Sequence, residues 1–154
     1  LKSTFIKYRR YSMAISARNQ LSGVVDSIVM GAVNDEVILD LGHGESIAAV
    51  ITKNSTKQLG LEKGKLATAV IKAPWVVLVS NAEEYNFSAR NQFNGVIESI
   101  EKGSVNSVVN LKTTAGTLLS AVVTNNSTVE LGLKVKSKVT AIIKASSVIL
   151  ATKK

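Results

Sequence analysis

The sequence has no cysteine, and among its 154 residues it has one proline, one histidine and 5% aromatic residues. The missing thiols exclude disulfide bonds and thiolate metal sites. The single His43 stands between two glycines, where we expect a solvated turn residue rather than a metal ligand. The sequence offers no cysteine or suitably placed histidine for a catalytic nucleophile and its general base, so the chain is not expected to be an enzyme.

Long apolar runs are missing as well. No stretch approaches the roughly 20 apolar residues of a membrane span, and no secretory signal is visible. We therefore expect a cytoplasmic protein with no membrane partner. The hydrophobic fraction is nevertheless 45% and the mean hydropathy is +0.20, which fits a filled core together with an apolar interface.

A motif of five residues that occurs twice organises the chain. Ser-Ala-Arg-Asn-Gln at residues 16–20 returns unchanged at residues 88–92, and the same shift of 72 aligns the remaining sequence without a gap. This is an internal repeat whose period suits one small globular module. The repeat predicts a leader from an upstream domain (1–15), a first domain (16–80), a linker (81–87) and a second domain (88–154).

Each repeat has the pattern of a small β-domain. In the first repeat, alternating apolar residues and glycine-containing turns predict three strands. Residues 54–60 open with residue types suited to an N-cap and close on a glycine, which predicts a short helix. Two more strands follow, divided at Pro74. The predicted fold class is all-β, with two tandem OB-fold-like five-stranded barrels that each carry one short helix.

The net charge of +8 is unevenly distributed and would attract anions. A small tetrahedral dianion needs several converging hydrogen-bond donors, one or two cations and few carboxylates nearby. Each repeat offers these residue types. They are Ser16, Arg18, Thr52, Ser55 and Lys72 in the first repeat, and Ser88, Arg90, Thr124, Ser127 and Lys144 in the second.

Taken singly, each of these residues also has an ordinary interpretation. Ser55 suits a helix cap, Thr52 suits a strand, and Arg18 and Lys72 suit a charged surface. Ser16 and Lys72 also stand at opposite ends of the repeat. The anion-binding interpretation therefore requires barrel closure, or a neighbouring subunit, to bring these side chains together.

The repeated motif, together with residues 31–34, 50–55, 59–61 and 71–73, resembles the Mop (molbindin) domain in both repeats. The resemblance implies barrels that oligomerise, most simply as a homodimer, and bind molybdate or tungstate between subunits without a catalytic cofactor. By this resemblance Ser16, Arg18, Lys72 and the backbone N–H of Ala73 match oxyanion contacts. Thr52 and Ser55 match contacts from the opposing chain. The equivalent residues of the second repeat would form further sites: Ser88, Arg90, Thr124, Ser127, Lys144 and Ala145.

Similar tandem arrays occur in the molybdate-sensing half of ModE-type transcriptional regulators and in free molybdate-storage molbindins. The leader and Lys72-Ala73-Pro74-Trp75 resemble the regulator, so we expect its effector-sensing half, which reaches DNA only through an upstream domain outside this chain. The complete motif in the second repeat is more like a storage molbindin, so a free cytoplasmic molybdate buffer is the alternative. A third interpretation is a nucleic-acid-binding OB module, which the few aromatic residues disfavour because such surfaces stack bases on aromatic rings.

Overall fold

Ten strands and two short α-helices make up most of residues 13–154, the part of the chain that this computed structural model describes. Most of the predicted leader lies outside these residues. The first repeat contains β1 (Asn19–Met30), β2 (Asn34–Gly42), β3 (Glu45–Thr52), α1 (Lys53–Gln58), β4 (Leu66–Ile71) and β5 (Val77–Val79). The second contains β6 (Asn91–Lys102), β7 (Asn106–Thr113), β8 (Leu118–Thr124), α2 (Asn125–Glu130), β9 (Lys138–Ile143) and β10 (Ile149–Ala151).

Short 3₁₀ helices occupy three further segments of the described chain. They span Ala73–Trp75 before β5, Ala82–Glu84 in the predicted linker, and Ala145–Ser147 before β10. Within residues 13–154, no helix has the length and the apolar character that crossing a bilayer requires.

The strands form two five-stranded antiparallel sheets, in the orders β10-β4-β1-β2-β3 and β5-β9-β6-β7-β8. Each sheet takes four strands from one repeat and one short edge strand from the other. In the first sheet Ile149 of β10 lies opposite Val70 of β4, and in the second Val77 of β5 lies opposite Ile142 of β9. The predicted all-β class, with two OB-type five-stranded sheets that each carry one short α-helix, is confirmed.

The chain divides into two compact units that follow this strand pairing. Of the described residues, the first unit comprises residues 13–71 together with Ala145–Lys154, and the second comprises Lys72–Lys144. The predicted boundaries at residues 16–80 and 88–154 describe the sequence repeat, whereas each compact unit combines segments of both repeats.

Alternation along the strands places the core of each unit. Residues of β2 and β7 are buried in turn with more exposed neighbours, as expected for strands with one face toward a core. The segment that each unit takes from the other repeat also contributes buried apolar side chains. These are Val148 and Leu150 in the first unit, and Val76 and Leu78 in the second.

The long strand β1 pairs with two neighbouring strands over different halves of its length. Its first half pairs with β4 and its second half pairs with β2, with a bulge between Val25 and Ser27. Gly23 lies just before this bulge, where a Cβ would stand 2.4 Å from the carbonyl oxygen of Asp40. The close approach of the two backbones therefore requires glycine. Gly95 has the same role in β6.

Candidate oxyanion site

The predicted hydroxyl ligands of the first repeat, Thr52 and Ser55, form one capped turn where β3 ends and α1 begins. Thr52 is the N-cap, and its Oγ1 accepts a hydrogen bond from the backbone N–H of Ser55 at 3.1 Å. The same Oγ1 donates to the Ser55 Oγ at 2.9 Å. Two hydroxyl oxygens are therefore held side by side, and Thr52 and Ser55 are called the first hydroxyl pair below. The helix begins slightly earlier than predicted, because Thr52 rather than Asn54 supplies the cap.

The second repeat builds the same turn from Thr124 and Ser127, the second hydroxyl pair. The backbone N–H of Ser127 donates to the Thr124 Oγ1 at 3.1 Å, and the two hydroxyl oxygens are 2.8 Å apart. The cap residues have nearly equal dihedral angles, with φ −70 and ψ 152 for Thr52, and φ −69 and ψ 151 for Thr124. The two repeats therefore present their hydroxyl groups in one common geometry.

Strand pairing places the predicted cations of the first repeat at one end of the β1–β4 pair. Asn19, the first residue of β1, lies opposite Ile71, the last residue of β4. Arg18 directly precedes Asn19 and Lys72 directly follows Ile71. Antiparallel pairing thus brings these two residues, which are far apart in the sequence, to the same end of the strand pair.

The second repeat has the same arrangement. Asn91 lies opposite Ile143, between Arg90 on one strand and Lys144 on the other. The predicted side-chain ligands at these two strand ends are all exposed and are Ser16, Arg18, Lys72, Ser88, Arg90 and Lys144.

The 3₁₀ helix after β4 adds two features to this end of the strand. Lys72 is its N-cap residue, and the buried Ala73 begins it. The first N–H groups of a helix have no partner within the helix, so the Ala73 N–H suits the contact that the Mop resemblance implies. The Lys72 Nζ lies 5.5 Å from the centre of the Trp75 ring, within cation–π range. The sequence analysis missed this contact, and Ser147 replaces Trp75 in the second repeat.

The first hydroxyl pair and the predicted cations lie at opposite ends of β1. Thr52 pairs with Asn34 at the start of β2, and that end of β2 lies beside Met30, the last residue of β1. The cations flank Asn19, the first residue, and β1 is 12 residues long. At a rise of about 3.3 Å per residue, these two groups are far apart along the strand. A site with both halves therefore needs a hydroxyl pair from outside this sheet.

An ion pair between Lys53 and the buried Asp35 connects the first hydroxyl pair to β2, and the sequence analysis missed it. The Lys53 Nζ donates to the Asp35 Oδ1 at 3.0 Å, and the side chains are 42% and 1% exposed respectively. The backbone N–H of Gly31 donates to the same oxygen at 3.3 Å. A hydrogen bond from the Thr56 hydroxyl, and then the one from Lys53, lower the pKa of Asp35. The carboxylate form is therefore the form that this environment stabilises.

This shift predicts a pH dependence of folding stability. A carboxyl group whose pKa is lower in the folded state stabilises the fold above its ordinary pKa of about 4, and this contribution is lost as the pH falls toward the folded value. We expect Asp35→Asn to be less stable than the wild type at pH 7, with the difference shrinking below about pH 4. Urea unfolding of both proteins across this range measures the difference. The exposed Asp26→Asn is the control for loss of one charge, and a difference that does not depend on pH would contradict the assignment.

Within the described residues, no group of three or more His, Cys, Asp or Glu side chains is arranged to hold a metal ion. The groups of the predicted ligand residues that the two repeats share are hydroxyls, guanidinium groups, ammonium groups and helix N–H groups. This set donates hydrogen bonds and carries positive charge, so its chemistry suits an oxyanion.

The fold and these groups define a tandem OB-type protein with two copies of the predicted donor set. The TOBE domain family matches twice, at residues 15–78 and 88–150. The chain belongs to the TOBE domain family, and the predicted resemblance to tandem Mop domains of ModE-type regulators is confirmed.

Two relatives and one solved structure illustrate this membership. The molybdenum transport protein ModE of Herbaspirillum seropedicae is 38% identical over 143 residues, 93% of this chain and 53% of that protein. The DNA-binding transcriptional dual regulator ModE of Escherichia coli K12 is 34% identical over 153 residues, 99% of this chain and 57% of that protein. The chain thus spans about half the length of these relatives. The cytoplasmic molybdate-binding protein ModG, solved with molybdate bound, superposes with a TM-score of 0.88 at 45% identity, over 92% of this chain and 100% of that one.

Proposed function

We propose that the chain binds molybdate or tungstate without catalysing a reaction, and that it is the effector-sensing half of a molybdate-responsive transcriptional regulator. One observation carries the proposal. Both repeats present the same donor set, with two hydroxyls locked in one capped turn and an arginine and a lysine flanking one strand pair. The similarity to ModG, whose structure contains molybdate, supports the choice of ligand.

Under this proposal the oxyanion is held by charge and hydrogen bonds alone. Arg18 and Lys72 would neutralise the dianion, and the Ser16 hydroxyl and the Ala73 N–H would donate to its oxygens. A hydroxyl pair from the opposing chain of a homodimer would complete the shell, because the first hydroxyl pair lies at the other end of β1. Each hydrogen bond to a charged group contributes about 1.5–3 kcal/mol.

The role as part of a transcriptional regulator is supported by how much of this chain aligns with such a regulator. The Escherichia coli regulator aligns over 99% of this chain, which includes nearly all of residues 1–15. An oxyanion that binds better to one arrangement of two subunits would shift their population toward that arrangement. DNA would be contacted by an upstream domain. Because the oxyanion would lie between subunits, its binding would be coupled to DNA binding through the arrangement of the two subunits.

The alternative setting is a free cytoplasmic molybdate buffer. ModG is described as a cytoplasmic molybdate-binding protein, and its whole length aligns with this chain. The complete Ser-Ala-Arg-Asn-Gln motif in the second repeat also supports this setting. The coding sequence upstream of Leu1 separates the two settings, because an in-frame DNA-binding domain would support only the regulator.

Calorimetric titration of the purified chain with molybdate, with its mass in solution followed in parallel, tests the shared proposal. We expect saturable binding of molybdate and tungstate to a protein that is at least a dimer when loaded. Sulfate, a smaller tetrahedral dianion, is the matched control ligand and is expected to bind much more weakly. Absence of heat with molybdate, or equal binding of sulfate, would refute the proposal.

A further inference from the structure

The two hydroxyl pairs have the same geometry, but different side chains hold them in place. In the first repeat, the first residue of α1 is Lys53. Its backbone N–H donates to the Val33 carbonyl at 3.1 Å, and its side chain forms the ion pair with the buried Asp35. This joint connects the capped turn to the start of β2 and to the turn before it.

The second repeat builds the same joint from neutral groups. The backbone N–H of Asn125 donates to the Val105 carbonyl at 2.8 Å. The Ser107 hydroxyl, 1% exposed, donates to the Asn125 Oδ1 at 2.6 Å, and the Asn125 Nδ2 donates to the Gly103 carbonyl at 2.9 Å. The shift of 72 places Ser107 on Asp35 and Asn125 on Lys53. Both members of the pair therefore differ together between the repeats.

Both versions of the joint have zero formal charge. A buried carboxylate without its cation would be costly in itself and would repel a dianion bound by the neighbouring hydroxyls. A lysine at the first position of a helix is also unfavourable beside the positive helix end, unless an anion compensates it. Asp35 and Lys53 therefore compensate each other's charge, and Ser107 and Asn125 satisfy each other's hydrogen bonds. Either member of a pair alone would leave a charge or a hydrogen-bond donor without a partner.

We propose that Asp35–Lys53 and Ser107–Asn125 are interchangeable positioning pairs, each of which orients its hydroxyl pair for oxyanion contact while keeping the joint electrically neutral. The inference rests on the proposed function, since it concerns how the hydroxyls of that same site are held. The pairs do not contact the oxyanion themselves. They act through Thr52 and Ser55 in one repeat, and through Thr124 and Ser127 in the other.

Three variants of the full chain, titrated with molybdate by calorimetry, test this inference. Lys53→Met leaves Asp35 without its cation and is expected to weaken binding about tenfold, the effect of one unmatched buried group. Lys57→Met removes the same charge from the same helix without touching Asp35, and its dissociation constant is expected to stay within about twofold of the wild type. The double variant Asp35→Ser/Lys53→Asn installs the neutral pair and is expected to restore binding to within about twofold.

The second hydroxyl pair is unaltered in all three proteins and serves as an internal control, so only part of the titration should weaken. An unchanged dissociation constant in Lys53→Met, an equal loss in Lys57→Met, or a double variant as weak as the single would each overturn the positioning role. Should Lys53→Met fail to fold, Ser107→Ala breaks the neutral pair of the second repeat instead, because it removes the hydrogen bond to the Asn125 Oδ1. This variant is expected to weaken binding at the second hydroxyl pair only, and unchanged affinity there would overturn the positioning role. If the wild type does not bind molybdate, both the proposed function and this inference fall.

Discussion

Leu150→Ala is expected to destabilise the first compact unit by about 2–5 kcal/mol, although Leu150 belongs to the second repeat. Its side chain is 7% exposed, and β10 pairs with β4, where Leu150 lies opposite Ala69. Truncation to alanine removes buried apolar area from the core of the unit that contains β1 to β4 and leaves a cavity there. Strands β6 to β9 of the second repeat belong to the other unit and should keep their stability.

Leu78→Ala is the mirror experiment. Leu78 is 6% exposed and lies opposite Ala141 in β9, so this variant should weaken the second unit although the residue belongs to the first repeat. Native-state hydrogen exchange measures both effects, because it reports protection strand by strand. The expected pattern is crossed, with β1 and β4 losing protection in Leu150→Ala, and β6 and β9 losing it in Leu78→Ala.

The neighbouring apolar residues supply matched controls. Ile149 and Val77 stand next to the two leucines on the same strands, but they are 48% and 56% exposed. Alanine at either position should change stability by less than about 1 kcal/mol, because little apolar area is lost. If Leu150→Ala instead weakened the strands of its own repeat, the assignment of β10 to the first sheet would be wrong.

Arg18→Ala and Lys72→Ala are each expected to weaken molybdate binding by about 1.5–3 kcal/mol, roughly 10-fold to 150-fold, the scale of one charge-assisted hydrogen bond. Both residues flank the Asn19 and Ile71 pair, so both charges stand at one end of β1 and β4. Calorimetric titration of each variant measures the change. Arg18→Lys should recover only part of the loss, because a lysine keeps the charge but lacks the planar donor fork of arginine.

Lys63→Ala is the control for this series. Lys63 is exposed in the loop before β4, so the variant removes one positive charge outside the predicted donor set. Its affinity should stay close to the wild type, and raised salt should weaken all variants in parallel. Unchanged affinity in both Arg18→Ala and Lys72→Ala would refute the site. Arg90→Ala and Lys144→Ala extend the same measurement to the second repeat.

Much of the fold follows from local sequence. The repeated motif revealed two copies of one module. Alternating apolar residues and glycine-containing turns predicted the order of elements along each copy, which is three strands, one α-helix and two strands. The structure confirms this order, with small shifts at the ends: the predicted helix at residues 54–60 is Lys53–Gln58, and its cap is Thr52. These features depend on neighbours within a few residues, which is why a sequence reveals them.

The contacts that position the candidate site are less visible in the sequence. Asp35 and Lys53 are 18 residues apart, and their pairing depends on how β2 and β3 align. The only sequence signal for this pairing was that both positions differ together between the two repeats. The contact between Lys72 and Trp75 likewise depends on the 3₁₀ helix that follows β4.

The sequence by itself determined the all-β class, the tandem repeat and the residue types that are available for an oxyanion. Only the tertiary structure decided which edge strand completes which sheet. The reason is physical: β5 and β10 are equivalent positions of a repeat, with the same alternation of buried and exposed residues, so each could hydrogen-bond to β4 or to β9. Backbone pairing does not distinguish the two partners, so the choice depends on packing between residues that are distant in the sequence.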